Sequence, residues 1–180
     1  MELRQRILPA ARNERDFDEL LQRDDMKMMV LLETRIAQLP SQIKYAKKAG
    51  KKVFLHVDLI QGLKTDDAGM DFVCQRLKPD GVISTRTNVI HAAKKYKITA
   101  VQRLFLIDGH ALNHNLSLVK KTEPDFVEVL PGLIPHMIKE VSAQTGIPVI
   151  AGGLIRTKED VEAALEAGAT AVSTSKKSLW

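Results

Sequence analysis

Residues 147–175 read IPVIAGGLIRTKEDVEAALEAGATAVSTS, one complete strand–helix–strand unit. An apolar run, Pro148–Ala151, stops at Gly152 and Gly153. Thr157 and Asp160 then stand at capping-box spacing, where each side chain bonds the other residue's backbone N–H and starts a helix. Val161, Ala164, Leu165 and Gly168 follow at i, i+3, i+4 and i+7, which puts one apolar stripe along that helix. A second apolar run, Ala171–Ser173, closes the unit. Strands joined by a crossover helix run parallel, because the helix carries the chain back to the end where it began.

The same alternation extends upstream. Strand-like runs fall at Ile7–Ala11, Met28–Leu32, Val53–Asp58, Gly81–Ser84, Val101–Asp108 and Phe126–Leu130. Helical stripes lie between them: Met70, Val73, Cys74 and Leu77; Val89, Ala92, Ala93 and Tyr96; Ile134, Met137, Ile138 and Val141. Strict alternation implies a parallel sheet with crossover helices. About eight strands predict an α/β fold of the small (β/α)8 TIM-barrel type, with an open doubly wound sheet as the competing topology. No linker composition interrupts the chain, so residues 1–180 read as one domain. Only SKKSLW remains after Thr174, so the final helix is minimal. Either Leu179 and Trp180 plug the gap it leaves, or a second copy covers it in a homodimer.

Composition narrows the class. With 44% hydrophobic residues the chain is globular and not disordered. A single cysteine, Cys74, allows no internal disulfide, which fits a reducing cytoplasm. Cys74 itself lies on a helical stripe and reads as core. The opening residues carry no long apolar run, so neither a signal peptide nor a membrane span is expected. The 27 Lys+Arg against 22 Asp+Glu give a formal charge of +5, a modest bias toward polyanions.

In a barrel of this type, sites form at the C-terminal ends of the strands. Arg12, Glu33 and Asp58 follow the first three runs, with Lys64 in the next loop. Ser84, Thr85 and Arg86 follow the fourth run, Asp108 the fifth, and Pro131 and Gly132 the sixth. Gly152 and Gly153 follow the seventh, and Ser173, Thr174 and Ser175 the eighth. Paired glycines let backbone N–H groups approach a phosphate, and the last two loops of such barrels recur as phosphate sites. Gly152, Gly153, Thr174 and Ser175 are therefore the phosphate candidates; the competing reading is a tight turn with no ligand. Loops are polar in any case, so Glu33, Asp58, Lys64 and Arg86 are rim candidates on position alone.

Alternation points His56, Asp58 and Glu128 into the barrel, where a buried carboxylate needs a partner. Arg103 matches Glu128 in charge, but alternation sets it opposite Asp108, and the sequence leaves the pairing open. His56 reads as a core histidine more readily than as a base. His110 and His114 have a helical metal-ligand spacing but no clear third ligand, so no metal is assigned.

Lysines cluster before strands: Lys44, Lys47, Lys48, Lys51 and Lys52; Lys94, Lys95 and Lys97; Lys120 and Lys121. They fall at the opposite, N-terminal face. Cations there complement helix dipoles, and they could also meet nucleic-acid phosphates. At 4% aromatic residues the chain carries few stacking platforms, so shape and backbone contacts would dominate any RNA binding.

Taken in order, several segments resemble one family. ILPAAR (7–12), LLET (31–34), HVDLIQGLK (56–64), PDGVISTR (79–86), QRLFLID (102–108), LPGLIP (130–135), IPVIAGGLI (147–155) and AVSTS (171–175) are similar to glycerol-3-phosphate-responsive antiterminators. The resemblance implies a (β/α)8-type fold, glycerol 3-phosphate as effector and leader mRNA of glycerol-use genes as partner. It also implies a regulator that catalyses nothing and needs no cofactor. It does not transfer RNA-contacting residues position by position. The rim loops around Gly62–Asp67 and Gly109–Asn115 are the expected moving parts. Two other classes compete. One is an enzyme on a small phosphorylated substrate using Asp58, Glu33 and Lys64 as acid, base or Schiff-base lysine. The other is an interaction scaffold, which the glycine loop disfavours.

Overall fold

A computed structural model describes residues 5–180. Eight parallel strands close into a barrel: β1 (Ile7–Ala11), β2 (Met28–Leu31), β4 (Lys52–His56), β6 (Gly81–Ser84), β7 (Thr99–Phe105), β8 (Phe126–Leu130), β9 (Val149–Gly152) and β10 (Ala169–Thr174). Around the barrel the order is β1-β10-β9-β8-β7-β6-β4-β2. First and last strands pair, Ile7 with Val172 and Pro9 with Thr174, which settles the choice against an open sheet. Two short strands, β3 (Thr34–Arg35) and β5 (Ile60–Gln61), form a separate parallel pair at the C-terminal rim.

The helices are α1 (Glu14–Gln22), α2 (Leu39–Lys48), α3 (Asp67–Asp71, continued by a π-helical stretch Phe72–Leu77), α4 (Thr87–Lys95), α5 (Gly109–Thr122), α6 (Pro135–Thr145) and α7 (Lys158–Glu166). The predicted capping box forms at α7: Asp160 N–H donates to Thr157 Oγ1 at 3.1 Å and Thr157 N–H to the Asp160 carboxylate at 2.9 Å. No helix of the described residues is long and apolar enough to cross a membrane.

Period-two alternation sorts the apolar side chains. Leu8, Val30, Phe54, Ile83, Val101 and Ile150 pack inside the barrel. Val53, Leu55 and Val82 face outward into one layer beneath the helices; Leu104, Val127, Val129 and Val172 face outward into another. Burying these side chains contributes about 1.5–3 kcal/mol each against the entropy of ordering the chain.

Three expectations shift. The strand expected over Val101–Asp108 ends at Phe105, because Asp108 is spent as the N-cap of α5, accepting from Ala111 N–H at 2.8 Å. The run expected to reach Asp58 ends at His56, where a 3-10 turn, Val57–Leu59, takes over. The segment Gly109–Asn115 is not a loop but the first turns of α5.

After β10 the chain makes one 3-10 turn, Lys177–Leu179. Trp180 Nε1 donates to the Thr174 carbonyl at 2.9 Å, and Lys177 Nζ reaches Asp16 (2.7 Å) and Glu19 (2.9 Å) on α1. Trp180 packs on one of the two outer apolar layers and Leu179 on the other, so the terminal turn covers the barrel wall beside α1.

The lysines of the N-terminal face divide. Lys47, Lys48, Lys94, Lys95, Lys120 and Lys121 stand in last turns of helices, where cations oppose the dipole. Some do more. Lys47 Nζ donates to the Lys78 carbonyl at 2.5 Å, and Lys94 Nζ to that of Glu123. Lys51 is buried and donates to the carbonyls of Arg23 and of Met26, the latter at 2.7 Å. Burial lowers the Lys51 pKa from its ordinary value. Each of these three lysines holds the C-terminal end of a neighbouring helix. Lys51→Met, which removes both bonds, is expected to cost about 1–3 kcal/mol in chemical denaturation, while Lys48→Met, with no such bond, should stay within about 0.5 kcal/mol of wild type.

Candidate functional site

The loops after β1, β2, β8, β9 and β10 surround a cavity of about 550 Å³ at the C-terminal mouth of the barrel. Its size is that of a small-molecule pocket. Four cations, Arg12, Arg103, Arg156 and Lys176, line it against two carboxylates, Glu33 and Glu128.

Both carboxylates are committed. The Arg12 guanidinium donates twice to Glu33 Oε1, at 3.1 and 3.3 Å. Arg103 and Glu128 sit side by side in the β7–β8 register, and Arg103 Nε donates to Glu128 Oε2 at 2.7 Å. Ser173 Oγ donates to the other Glu128 oxygen at 2.5 Å. Glu128 is 1% exposed, so this pairing compensates the cost of desolvating its charge. Arg156 and Lys176 have no ion-pair partner among the described residues. They follow the two loops proposed for phosphate.

The eight residues predicted at the site divide between two recesses. Glu33, Gly153, Thr174 and Ser175 line the main cavity. Gly152 lies just behind its wall: a Cβ there would stand 2.6 Å from Ser173 Oγ and 2.8 Å from Glu128 Oε1. Glycine at this position is what lets the Glu128 network close. Gly153 has φ +75, a left-handed conformation that favours glycine and turns the loop back over the mouth. Thr174 is buried; its Oγ1 accepts from Lys176 N–H at 3.1 Å and so shapes the turn carrying Ser175 and Lys176.

Asp58, Lys64 and Arg86 line a second recess of about 520 Å³, beside Asn88. Asp58 accepts from Ser84 Oγ at 2.9 Å and from Thr85 N–H at 3.0 Å, with Arg86 Nε 3.4 Å away. It ties the rim after β4 to the rim after β6. Lys64 is exposed and carries no ion pair among the described residues.

Sequence reasoning missed Arg103 and Arg156 as site residues. Arg103 shares the inward parity of Val101, a signal that the overlong strand expected there obscured. Arg156 could have been found as the first cation after the glycine loop. Lys176 stands near the candidate phosphate loops by sequence alone, and the structure places it on the cavity wall. His110 and His114 are exposed on the first turns of α5. Among the described residues no group of three His, Cys, Asp or Glu is placed to hold a metal.

Beneath the mouth lies His56, 3% exposed, with neither ring nitrogen hydrogen-bonded. Burial, then the Arg103 charge, lowers its pKa to about 4 from 6.5. The folded protein therefore keeps His56 neutral where the unfolded chain binds a proton. Stability from this group is full above pH 6.5 and is lost as pH falls toward 4, by roughly 3 kcal/mol. His56→Leu should flatten this part of the pH profile in urea titrations between pH 6.5 and 4.5. Arg103→Ala is expected to cost about 3–5 kcal/mol by stranding the Glu128 carboxylate, and Arg103→Met with Glu128→Leu should restore most of it in the same assay.

The chain matches the glycerol-3-phosphate responsive antiterminator family over residues 7–180. A glycerol uptake operon antiterminator regulatory protein from Listeria monocytogenes is 49% identical, with TM-score 0.96, over 100% of this chain and 98% of that one. A glycerol uptake operon antiterminator-related protein from Thermotoga maritima is 30% identical, with TM-score 0.85, over 98% of each chain. The Escherichia coli (strain K12) protein YgcP is 31% identical over 178 residues, 99% of this chain and 93% of that one. A deoxyribose phosphate aldolase from Aeropyrum pernix, 19% identical with TM-score 0.70 over 94% of this chain and 85% of its own, shares the barrel fold alone. With a whole-chain match and close structural relatives, this protein belongs to the glycerol-3-phosphate responsive antiterminator family.

Proposed function

We propose that this protein binds glycerol 3-phosphate in the mouth cavity and, so loaded, binds leader mRNA of glycerol-use genes and keeps transcription from terminating. It acts in the cytoplasm, without a cofactor and without catalysing a reaction on its effector. The observation that carries the ligand half is the pair of uncommitted cations, Arg156 and Lys176, on the two loops after β9 and β10, in a cavity whose carboxylates are already paired.

In this reading the phosphate takes the end of the cavity formed by Gly153, Thr174, Ser175, Arg156 and Lys176. Backbone N–H groups and two cations meet its charge there. The glycerol hydroxyls extend toward Glu33 and Arg12 across the mouth. Gly152 acts from behind, by leaving room for the Glu128–Ser173 contact. Asp58, Lys64 and Arg86 fall to the neighbouring recess and are not assigned to the effector. Effector binding can change RNA affinity only through a difference between two states of the protein. The loop from Gly153 to Arg156 is the natural element, because it lines the cavity and also faces solvent.

The competing enzyme reading has less to stand on. Lys176 is the one lysine on the cavity wall and is exposed at the rim, while Lys64 lies in another recess, apart from Glu33. Glu33 is held by Arg12 and Glu128 by Arg103, so neither carboxylate stands free as a base.

Arg156→Ala with Lys176→Ala should weaken glycerol 3-phosphate binding in isothermal calorimetry by at least about tenfold, the loss of a charge-assisted bond or more. Glycerol itself should bind neither form measurably. Gel shift with a glycerol-operon leader RNA should show tighter binding with glycerol 3-phosphate present. Equal RNA affinity with and without it, or turnover of glycerol 3-phosphate, would sink this reading.

A further inference from the structure

Positive charge is spread unevenly over this protein. Residues 39–99 hold 12 Lys+Arg against 5 Asp+Glu, a surplus of seven, while residues 1–38 hold 7 against 8 and residues 100–180 hold 8 against 9. Within that sector the surplus sits at one end. At the C-terminal rim Lys64 and Arg86 stand with Asp58, Asp66 and Asp67, and the charges cancel. The other ten cations lie toward the N-terminal face, on α2, on the π-helical stretch after α3, on α4 and on the segments that follow them. The two carboxylates among them are spent: Asp71 accepts from Tyr96 Oη at 2.6 Å and Asp80 from Val53 N–H at 2.9 Å. Asp24 and Asp25 after α1, and Glu123 after α5, bound the basic region on either side.

Helix dipoles do not account for this concentration. Helices α1, α6 and α7 end with no basic residue in the last turn, and Lys52, Lys78 and Lys97 stand beyond the ends of their helices. Internal contacts account for four of the ten: Lys47, Lys51 and Lys94 donate to carbonyls, and Lys95 Nζ lies 5.3 Å from the centre of the Tyr96 ring. Lys44, Lys48, Lys52, Arg76, Lys78 and Lys97 remain, all exposed and without an ion pair among the described residues. The committed groups set these six in a row. Lys47 bonded to the Lys78 carbonyl ties α2 to the π-helical stretch, and Gln75 Nε2, donating to Tyr96 Oη at 2.9 Å, ties that stretch to α4. Tyr45, 57% exposed, stands on α2 beside Lys44 and three residues before Lys48. The apolar side of α2, Leu39, Ile43 and Ala46, is buried, so this helix has no face to insert into lipid. Fixed cations with one exposed ring are complementary to a phosphodiester backbone that offers one base to stack.

Resting on the antitermination reading, we infer that the leader RNA lies along the N-terminal face across α2, the π-helical stretch and α4, with its phosphates on these six cations and one unpaired base on Tyr45. RNA and effector then occupy opposite ends of the barrel. Neither covers the other's site, and the loaded protein can hold both at once.

The test uses fluorescence anisotropy with a labelled glycerol-operon leader RNA, in saturating glycerol 3-phosphate, across a salt series. Lys78 and Lys97 have left-handed backbones, φ 51 and 58, which glycine adopts freely, and it is the Lys78 carbonyl, not its side chain, that meets Lys47. Lys78→Gly with Lys97→Gly should therefore keep the melting temperature of the wild type while lowering the salt slope by about 1.4, two single-strand phosphates, and weakening RNA binding about tenfold at physiological salt. Tyr45→Ala should weaken it at least about fivefold, the loss of one stacked base, and Tyr45→Phe should restore it. Lys139→Ala with Lys158→Ala, which removes the same charge from α6 and α7, should leave RNA affinity within about twofold. Calorimetry with glycerol 3-phosphate should give unchanged effector affinity in every variant, showing that barrel and cavity are intact. Wild-type RNA affinity and slope in the Lys78/Lys97 and Tyr45 variants overturn the inference while leaving antitermination standing. So does an equal loss in the Lys139/Lys158 variant, which marks attraction by net charge alone. So does binding to phosphatidylglycerol vesicles that the Lys78/Lys97 variant loses while its RNA binding is kept. Absence of RNA binding by the wild-type protein sinks both readings.

Discussion

Hydrogen bonds between β1 and β10 are the constraint on which the rest depends. Once the first strand lies parallel beside the last, every strand of the barrel points the same way and every βα loop ends on one rim. The glycine loop after β9 and the Thr174–Lys176 turn after β10 become neighbours of Arg12 after β1 only because the barrel closes. In an open doubly wound sheet the first and last strands would not pair, and these loops would not ring one cavity. Closure also leaves no unpaired edge in the main sheet.

Inside the barrel, apolar side chains fill the lower part and polar ones the part beneath the mouth. The change occurs where Glu128 enters. A carboxylate at 1% exposure is held only by its partners, and Arg103, Ser173 and the absent side chain of Gly152 together supply the bonds and the room. This network lies below the effector cavity and fixes the ends of β7, β8, β9 and β10 against one another. His56 stands in the same region without a hydrogen bond, and its neutrality follows from the desolvation that makes the Glu128 pairing necessary.

Charge is distributed according to use. On the N-terminal face, Lys47, Lys51 and Lys94 close helix ends and hold neighbouring turns, so these three require no polyanionic partner. On the C-terminal face, several carboxylates are consumed as N-caps or ion-pair partners, and Arg156, Lys176 and Lys64 are left over. A net charge of +5 says nothing about which end carries the available cations. Side-chain geometry decides that, and it places Arg156 and Lys176 on the wall of the mouth cavity and Lys64 in the neighbouring recess.

The sequence by itself determined the layering, the parallel sheet and the start of α7, because alternation, helical spacing and capping are local properties that neighbouring residues impose. It also determined that Glu128 faces inward, since Val127 and Val129 bracket it. Where a local signal was outweighed, strand ends were misplaced: Leu106 and Ile107 extend the apolar run of β7, but Asp108 is drawn off to cap α5. Only the tertiary structure decided which rim residues share a recess. Glu33 and Lys64 look equivalent as polar residues after strands, yet barrel order puts one in the cavity with Gly153 and Thr174 and the other beside Asp58 and Arg86. Likewise Arg103 meets Glu128 through the register of two strands about 25 residues apart in sequence, a long-range relation that no periodicity encodes.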